Sequence, residues 1–178
     1  MQADLAALKR AEPAAVSAII GVVGALTIIG FFFFEFGMGL PPCPLCLEQR
    51  IAFYICVPLA GMLWLGAQYG AARKVLIFGF LAVVAFMLWN AGLGAYHAGI
   101  EWKFWPGPAD CSGAITDLSA PGGLMGQLQS INVVRCDQAA WRFLGLSLPG
   151  WNVLVSLGMA ALGAWGARGM FMRPADYR

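Results

Sequence analysis

Four stretches of this chain run on almost without charge: Ala14–Phe34, Ile51–Tyr69, Val75–Tyr96 and Phe143–Ala167. Each is long enough for the roughly 20 residues that a membrane-spanning helix needs. Within lipid only helices and closed barrels satisfy their own backbone. The runs are continuously apolar with no two-residue alternation, which points to helices. Composition agrees: 60% of residues are hydrophobic and 11% charged, against about 25% charged in soluble domains. The expected fold is an all-α membrane protein, a single domain over 1–178 built as a four-transmembrane-helix bundle. Its spans are expected at about 14–34, 49–69, 75–96 and 146–167. Lys9 and Arg10 precede the first run as they would in a signal peptide, but the run is too long and no small-x-small pattern follows "FFFFEF", so it is expected to be retained. A net charge of +2 without a basic run argues against a nucleic-acid partner.

The basic residues set an orientation. Lys9 and Arg10, then Arg73 and Lys74, then Arg168, Arg173 and Arg178 fall on one side of a four-span chain. The positive-inside rule puts that side, with both termini, in the cytoplasm. Arg50, Lys103, Arg135 and Arg142 fall on the other side, across a loop of about 97–145. Trp102, Phe104, Trp105 and Trp141 suit interface anchoring there. Apolar positions Leu124, Met125, Leu128 and Ile131 predict a short interfacial helix within the loop.

Of the five cysteines, Cys43, Cys46, Cys111 and Cys136 lie on the outer side, and only Cys56 lies within a span. Disulfides persist in oxidising compartments such as a bacterial periplasm. Three readings compete: disulfides that clamp outer loops, a zinc site, and a redox relay. Zinc wants two close ligand pairs, whereas Cys111 and Cys136 are far apart and His97 is the single histidine. The local chemistry of "PPCPLCLEQR" favours the relay. Pro44 suits a first helical position, which puts Cys43 near the N-cap and Cys46 in the first turn. A helix N-terminus stabilises a thiolate, the reactive form. Arg50 returns to nearly the same helix face, four residues after Cys46 and seven after Cys43. There it can pair with a thiolate or donate to a carbonyl acceptor, or it can snorkel to headgroups. Glu48 and Gln49 point to other faces and receive no role. The spans contain essentially no ionisable residue, which argues against a transporter.

These motifs together resemble the DsbB family of quinone-dependent, disulfide-generating membrane proteins. The resemblance covers nearly the whole chain. It rests on four helices, "CPLCLEQR" opening the second, a Cys pair in the second outer loop, and "WRFLGLSLPGW" entering the fourth span. His97 in "AYHAGIEW" matches a histidine near the outer end of the family's third helix. Where the family can carry an acid before its arginine, this chain has Gln49, so no acid–base role carries over. Cys56 matches no essential cysteine of the family and reads as a small buried hydrophobe.

The resemblance implies redox disulfides Cys43–Cys46 and Cys111–Cys136. A periplasmic DsbA-like dithiol protein of the thioredoxin fold attacks the second, with Cys111 holding the mixed disulfide. Cys136 then attacks Cys43, leaving Cys46 as a thiolate beside a membrane quinone, ubiquinone or menaquinone. Arg50 would hold the ring oxygen, with His97 in the same pocket. The implied site is the periplasmic side of a bacterial inner membrane. A couple as oxidising as that known for DsbA, about −120 mV, cannot be reoxidised by a glutathione poise near −200 mV, so a higher-potential acceptor is required. A vitamin-K-epoxide-reductase-like enzyme would carry its Cys-x-x-Cys on its last helix, not its second. A non-catalytic, disulfide-stabilised scaffold is the remaining alternative.

Overall fold

The computed structural model describes residues 2–108 and 136–172. Four helices dominate, each long and apolar enough to cross a membrane. Helix α1 spans Gln2–Phe32 and ends in one π turn, Phe33–Gly37. Helix α2 spans Pro44–Tyr69, α3 Arg73–Glu101 and α4 Leu148–Phe171. A two-residue hairpin, β1 (Arg142–Phe143) with β2 (Leu146–Ser147), leads into α4. Leu144 and Gly145 make its turn with φ of 51° and 82°. Two left-handed residues in sequence are what a tight hairpin turn of this hand requires.

The helix ends follow local chemistry. Pro44 opens α2 where its missing N–H costs nothing. Gly70 closes α2 at φ 76°, the left-handed conformation that a glycine C-cap supplies. Only Gly70, Ala71 and Ala72 separate α2 from α3, so the two are antiparallel neighbours. Arg73 donates through Nε to the Met170 carbonyl at 2.7 Å and through Nη2 to the Phe171 carbonyl at 2.8 Å. These bonds satisfy carbonyls that the end of α4 leaves open. Trp165 Nε1 reaches Glu12 Oε1 at 3.3 Å. The start of α1, the α2–α3 link and the end of α4 therefore share one end of the bundle. Cys43, the end of α3 and the hairpin share the other.

Helix α3 packs most extensively on α4 and α1 on α2, and α2–α3 and α1–α4 contacts close the ring. The core between them is Ile20, Phe53, Phe80, Met87, Met159 and Met170. Gly166 lets α3 and α4 approach, because a Cβ there would stand 2.6 Å from the Phe80 ring. Large apolar side chains such as Leu26, Phe78 and Trp165 face outward, while Asn90, Asn152 and Ser156 are buried. That inversion suits a bundle whose solvent is lipid.

Two expected boundaries shift. Helix α2 starts at Pro44, the first helical position that the proline predicts, ahead of the apolar stretch expected from about 49, and α3 runs on to Glu101 rather than ending near 96. Hydropathy underestimates both because polar residues in those turns are buried by neighbouring elements. His97 is consequently a helical residue, not the first residue of the loop. The expected interfacial helix around Leu124–Ile131 lies outside the described residues.

Candidate functional site

Cys43 is the N-cap of α2, in extended conformation, and its sulfur accepts from the Cys46 backbone N–H at 3.3 Å. That interaction uses one of the orphan donors of a helix start. The Cys43 and Cys46 sulfurs face each other 2.8 Å apart. The hydrogen bond with Cys46 pulls the Cys43 thiol down from 9.0 to about 5. Burial opposes that shift and the His97 imidazole adds to it. Cys43 is therefore a thiolate near neutral pH.

His97 Nε2 stands 3.7 Å from the Cys43 sulfur. Cys136 is disulfide-bonded and buried, and its sulfur lies within 4.8 Å of both the Cys43 sulfur and the His97 ring. Lys103, just beyond α3, bonds the Asp137 carboxylate at 2.7 Å and its carbonyl at 3.1 Å. That pair ties the backbone beside Cys136 to the end of α3. Glu101 is buried on the last turn of α3. Cys111 lies outside the described residues.

Arg50 is on the same face of α2 as Cys46, as the spacing predicts, and both line one pocket. Its apolar walls include Phe31, Phe34, Leu40 and Pro41. Gln49, Arg50 and Asn152 supply its polar groups. Arg50 is buried, lies over the Phe31 and Phe32 rings at 5.4 and 5.8 Å, and pairs with Glu35. Glu35 sits on the π turn that ends α1. Glu35 lies one residue beyond the expected end of the first span and is held by the cation facing it. Cys56 is fully buried among Phe53, Ala60 and other apolar residues of the core, as a small hydrophobe would be.

Gln49 departs furthest from the sequence reading, which gave it no role. It is buried, its amide nitrogen is 3.0 Å from His97 Nδ1, and its oxygen accepts from Asn152 Nδ2 at 2.6 Å. Asn90 Nδ2 in turn reaches Asn152 Oδ1 at 3.3 Å and Ser156 Oγ at 2.9 Å. The available sign was three amides inside apolar spans, each of which must find a partner in lipid. Their mutual pairing was invisible because the partners are 48, 62 and 103 residues apart.

Comparison with known proteins gives a consistent picture. The family described as "Disulfide bond formation protein DsbB" matches residues 13–166. A protein of Xanthomonas oryzae pv. oryzae named Disulfide bond formation protein B is 30% identical over 149 residues, covering 80% of this chain and 83% of its own. Proteins of the same name from Hahella chejuensis and Marinobacter nauticus are 30% and 32% identical. They cover 78% and 72% of this chain, and 84% and 79% of their own lengths.

Proposed function

The chain belongs to the DsbB family of disulfide bond formation proteins, and on that premise we propose that it reoxidises a periplasmic DsbA-like dithiol protein of the thioredoxin fold and passes the electrons to a membrane quinone. A multi-pass membrane protein and a disulfide-forming oxidoreductase follow from the family and the four long apolar helices. The finer reading adds the bacterial inner membrane, with the thiols on its periplasmic side.

The observation that carries the reading is a disulfide-bonded Cys136 within 4.8 Å of the acidified Cys43. Thiol–disulfide exchange needs that proximity and a thiolate. In the proposed cycle the partner's thiolate attacks Cys111 of a Cys111–Cys136 disulfide and forms a mixed disulfide, releasing Cys136. Cys136 attacks Cys43 of a Cys43–Cys46 disulfide, which frees Cys46 as a thiolate. The partner's second thiol displaces Cys111 and leaves as the oxidised protein. Cys111 then attacks Cys136, restores their bond and frees Cys43. Closing Cys43–Cys46 again releases two electrons and two protons. A bound quinone supplies the two-electron, two-proton acceptor. His97 Nε2, beside Cys43, is placed to stabilise the sulfur whenever it carries charge.

The pocket beside Cys46 fits such a ring: Phe31, Phe34 and Pro41 offer apolar faces, and Arg50 offers a charged donor for a carbonyl oxygen. Guanidinium has five N–H donors, so Arg50 can keep Glu35 and still donate. The test is quinone reduction by the purified protein with a reduced thioredoxin-fold partner. Cys43→Ala and Cys46→Ala should each abolish turnover, and Cys56→Ser should leave it near wild type. Turnover that survives loss of Cys43 or Cys46 would remove the relay.

A further inference from the structure

A chain of amides runs through the bundle and ends on the imidazole that faces Cys43. We propose that Gln49 and Asn152 are positioning residues that lock His97 in the tautomer with its proton on Nε2, pointed at the Cys43 sulfur. This deepens the redox reading of the same site and rests on it for its significance, though not for its test.

The chain has a polarity. Asn90 Nδ2 donates to Asn152 Oδ1 and to Ser156 Oγ. With its oxygen engaged, Asn152 turns its Nδ2 to Gln49 Oε1. Gln49 then has only its N–H2 group left for the ring, 3.0 Å from His97 Nδ1. An amide N–H2 cannot face an N–H, so Nδ1 must be the bare, accepting nitrogen. The proton of the neutral ring is then on Nε2, 3.7 Å from the Cys43 sulfur.

Turning every amide over would also pair the chain, but at a different cost. As it stands, the leftover group is one carbonyl, Asn90 Oδ1, which is buried without a partner. Reversal would put the Asn90 N–H2 group in that place. Buried donors left bare are rarer than under-used carbonyls. The far end of the chain, in the middle of α3, thus selects the tautomer at the thiols.

Two consequences follow. A donor is already aimed at the sulfur that must carry negative charge during exchange, so no ring flip is needed in the cycle. The lock also bars a rival chemistry. Cys43, Cys136 and His97 lie close enough together to hold a metal once reduced, but a metal needs a lone pair on Nε2, where the lock keeps a proton.

The chain contains one histidine, so isotope-labelled histidine in the reduced, full-length protein in nanodiscs yields a single imidazole nitrogen spectrum. At about pH 8.5, well above the ordinary imidazole value of about 6.5, the wild type should show a protonated Nε2 and a bare Nδ1. Gln49→Glu places an acceptor against Nδ1 and should convert that nitrogen from bare to protonated. Asn152→Leu frees the Gln49 amide to turn and should give a mixture of tautomers. A wild-type spectrum with Nδ1 protonated, or with the two tautomers equally populated, overturns the proposal. So does a Gln49→Glu spectrum that still shows Nδ1 bare. Residues that merely fill space would leave the ring nitrogens unmoved. Because the Cys43 thiolate also favours a proton on Nε2, the two variants are what assign the lock to the amides, while a wild-type spectrum with Nδ1 protonated refutes it even if a variant fails to fold. As none of this depends on turnover, failure here leaves the redox reading standing.

Discussion

Cys43 shows how much chemistry one position can gather. Its place as N-cap was legible from Pro44 beside it, and the acidified thiol follows chiefly from the Cys46 side chain, then from His97, with the N-cap hydrogen bond adding least. In the folded protein it holds fewer protons than in the unfolded chain between about 5 and 9.0. Its contribution to stability is therefore complete above 9.0, declines as pH falls and is gone below about 5. The kinetic counterpart is direct: iodoacetamide labelling of Cys43 in the reduced protein, read by mass mapping, should be nearly flat from pH 6.5 to 8. An ordinary thiol, with a pKa of about 8.5, would speed up roughly tenfold per unit over most of that range. His97→Ala should move the Cys43 midpoint upward but not restore it fully, since the larger cause is the bond with Cys46. For Arg50 the expected change is in binding. Arg50→Gln should raise the apparent quinone KM roughly ten- to hundredfold, the equivalent of about 1.5–3 kcal/mol for a charged hydrogen bond. An unchanged KM would leave Arg50 a partner of Glu35 alone.

At the scale of elements, the spans were legible because lipid imposes one rule on every residue of a run. The ends were less so. "AYHAGIE" lowers the hydropathy of α3, yet the helix continues because His97 finds Gln49 and the last turn is buried. The π turn at the end of α1 had no sequence sign at all. It carries Glu35, which meets Arg50 one helix away. Neither residue is free to relax into water: their side chains are 9% and 23% exposed. Removing one partner of a buried pair strands the other charge, at about 3–5 kcal/mol. Glu35→Ala should therefore lower stability in detergent by about 3 kcal/mol, toward the low end because Glu35 is partly exposed. Glu35→Gln, which can still accept from the guanidinium, should cost less. Equal losses for the two would mean that charge is not what holds the turn.

For the whole molecule, the outside is apolar and the middle carries a polar seam. Helix α2 contributes Gln49, α3 contributes Asn90 and His97, and α4 contributes Asn152 and Ser156. Apolar packing between these helices is nondirectional, and lipid competes for it on equal terms. The seam fixes what packing leaves open, the rotation and register of three helices around the thiols. Its energetics should be unequal for single and paired changes. Asn90→Leu strands the Asn152 oxygen and should cost about 1–3 kcal/mol, the penalty for an unmet buried group. Asn152→Leu strands the Gln49 oxygen and leaves Asn90 with Ser156 alone, and should cost about as much. Because Asn90 and Asn152 bond each other, the double variant loses that bond only once and leaves fewer polar groups stranded than the two single changes together. Its cost should fall below the sum by about 0.5–3 kcal/mol of coupling. Reversible denaturation of the four proteins in one detergent measures this directly. Strict additivity would show that the helices are aligned by packing alone and that the seam acts only at His97.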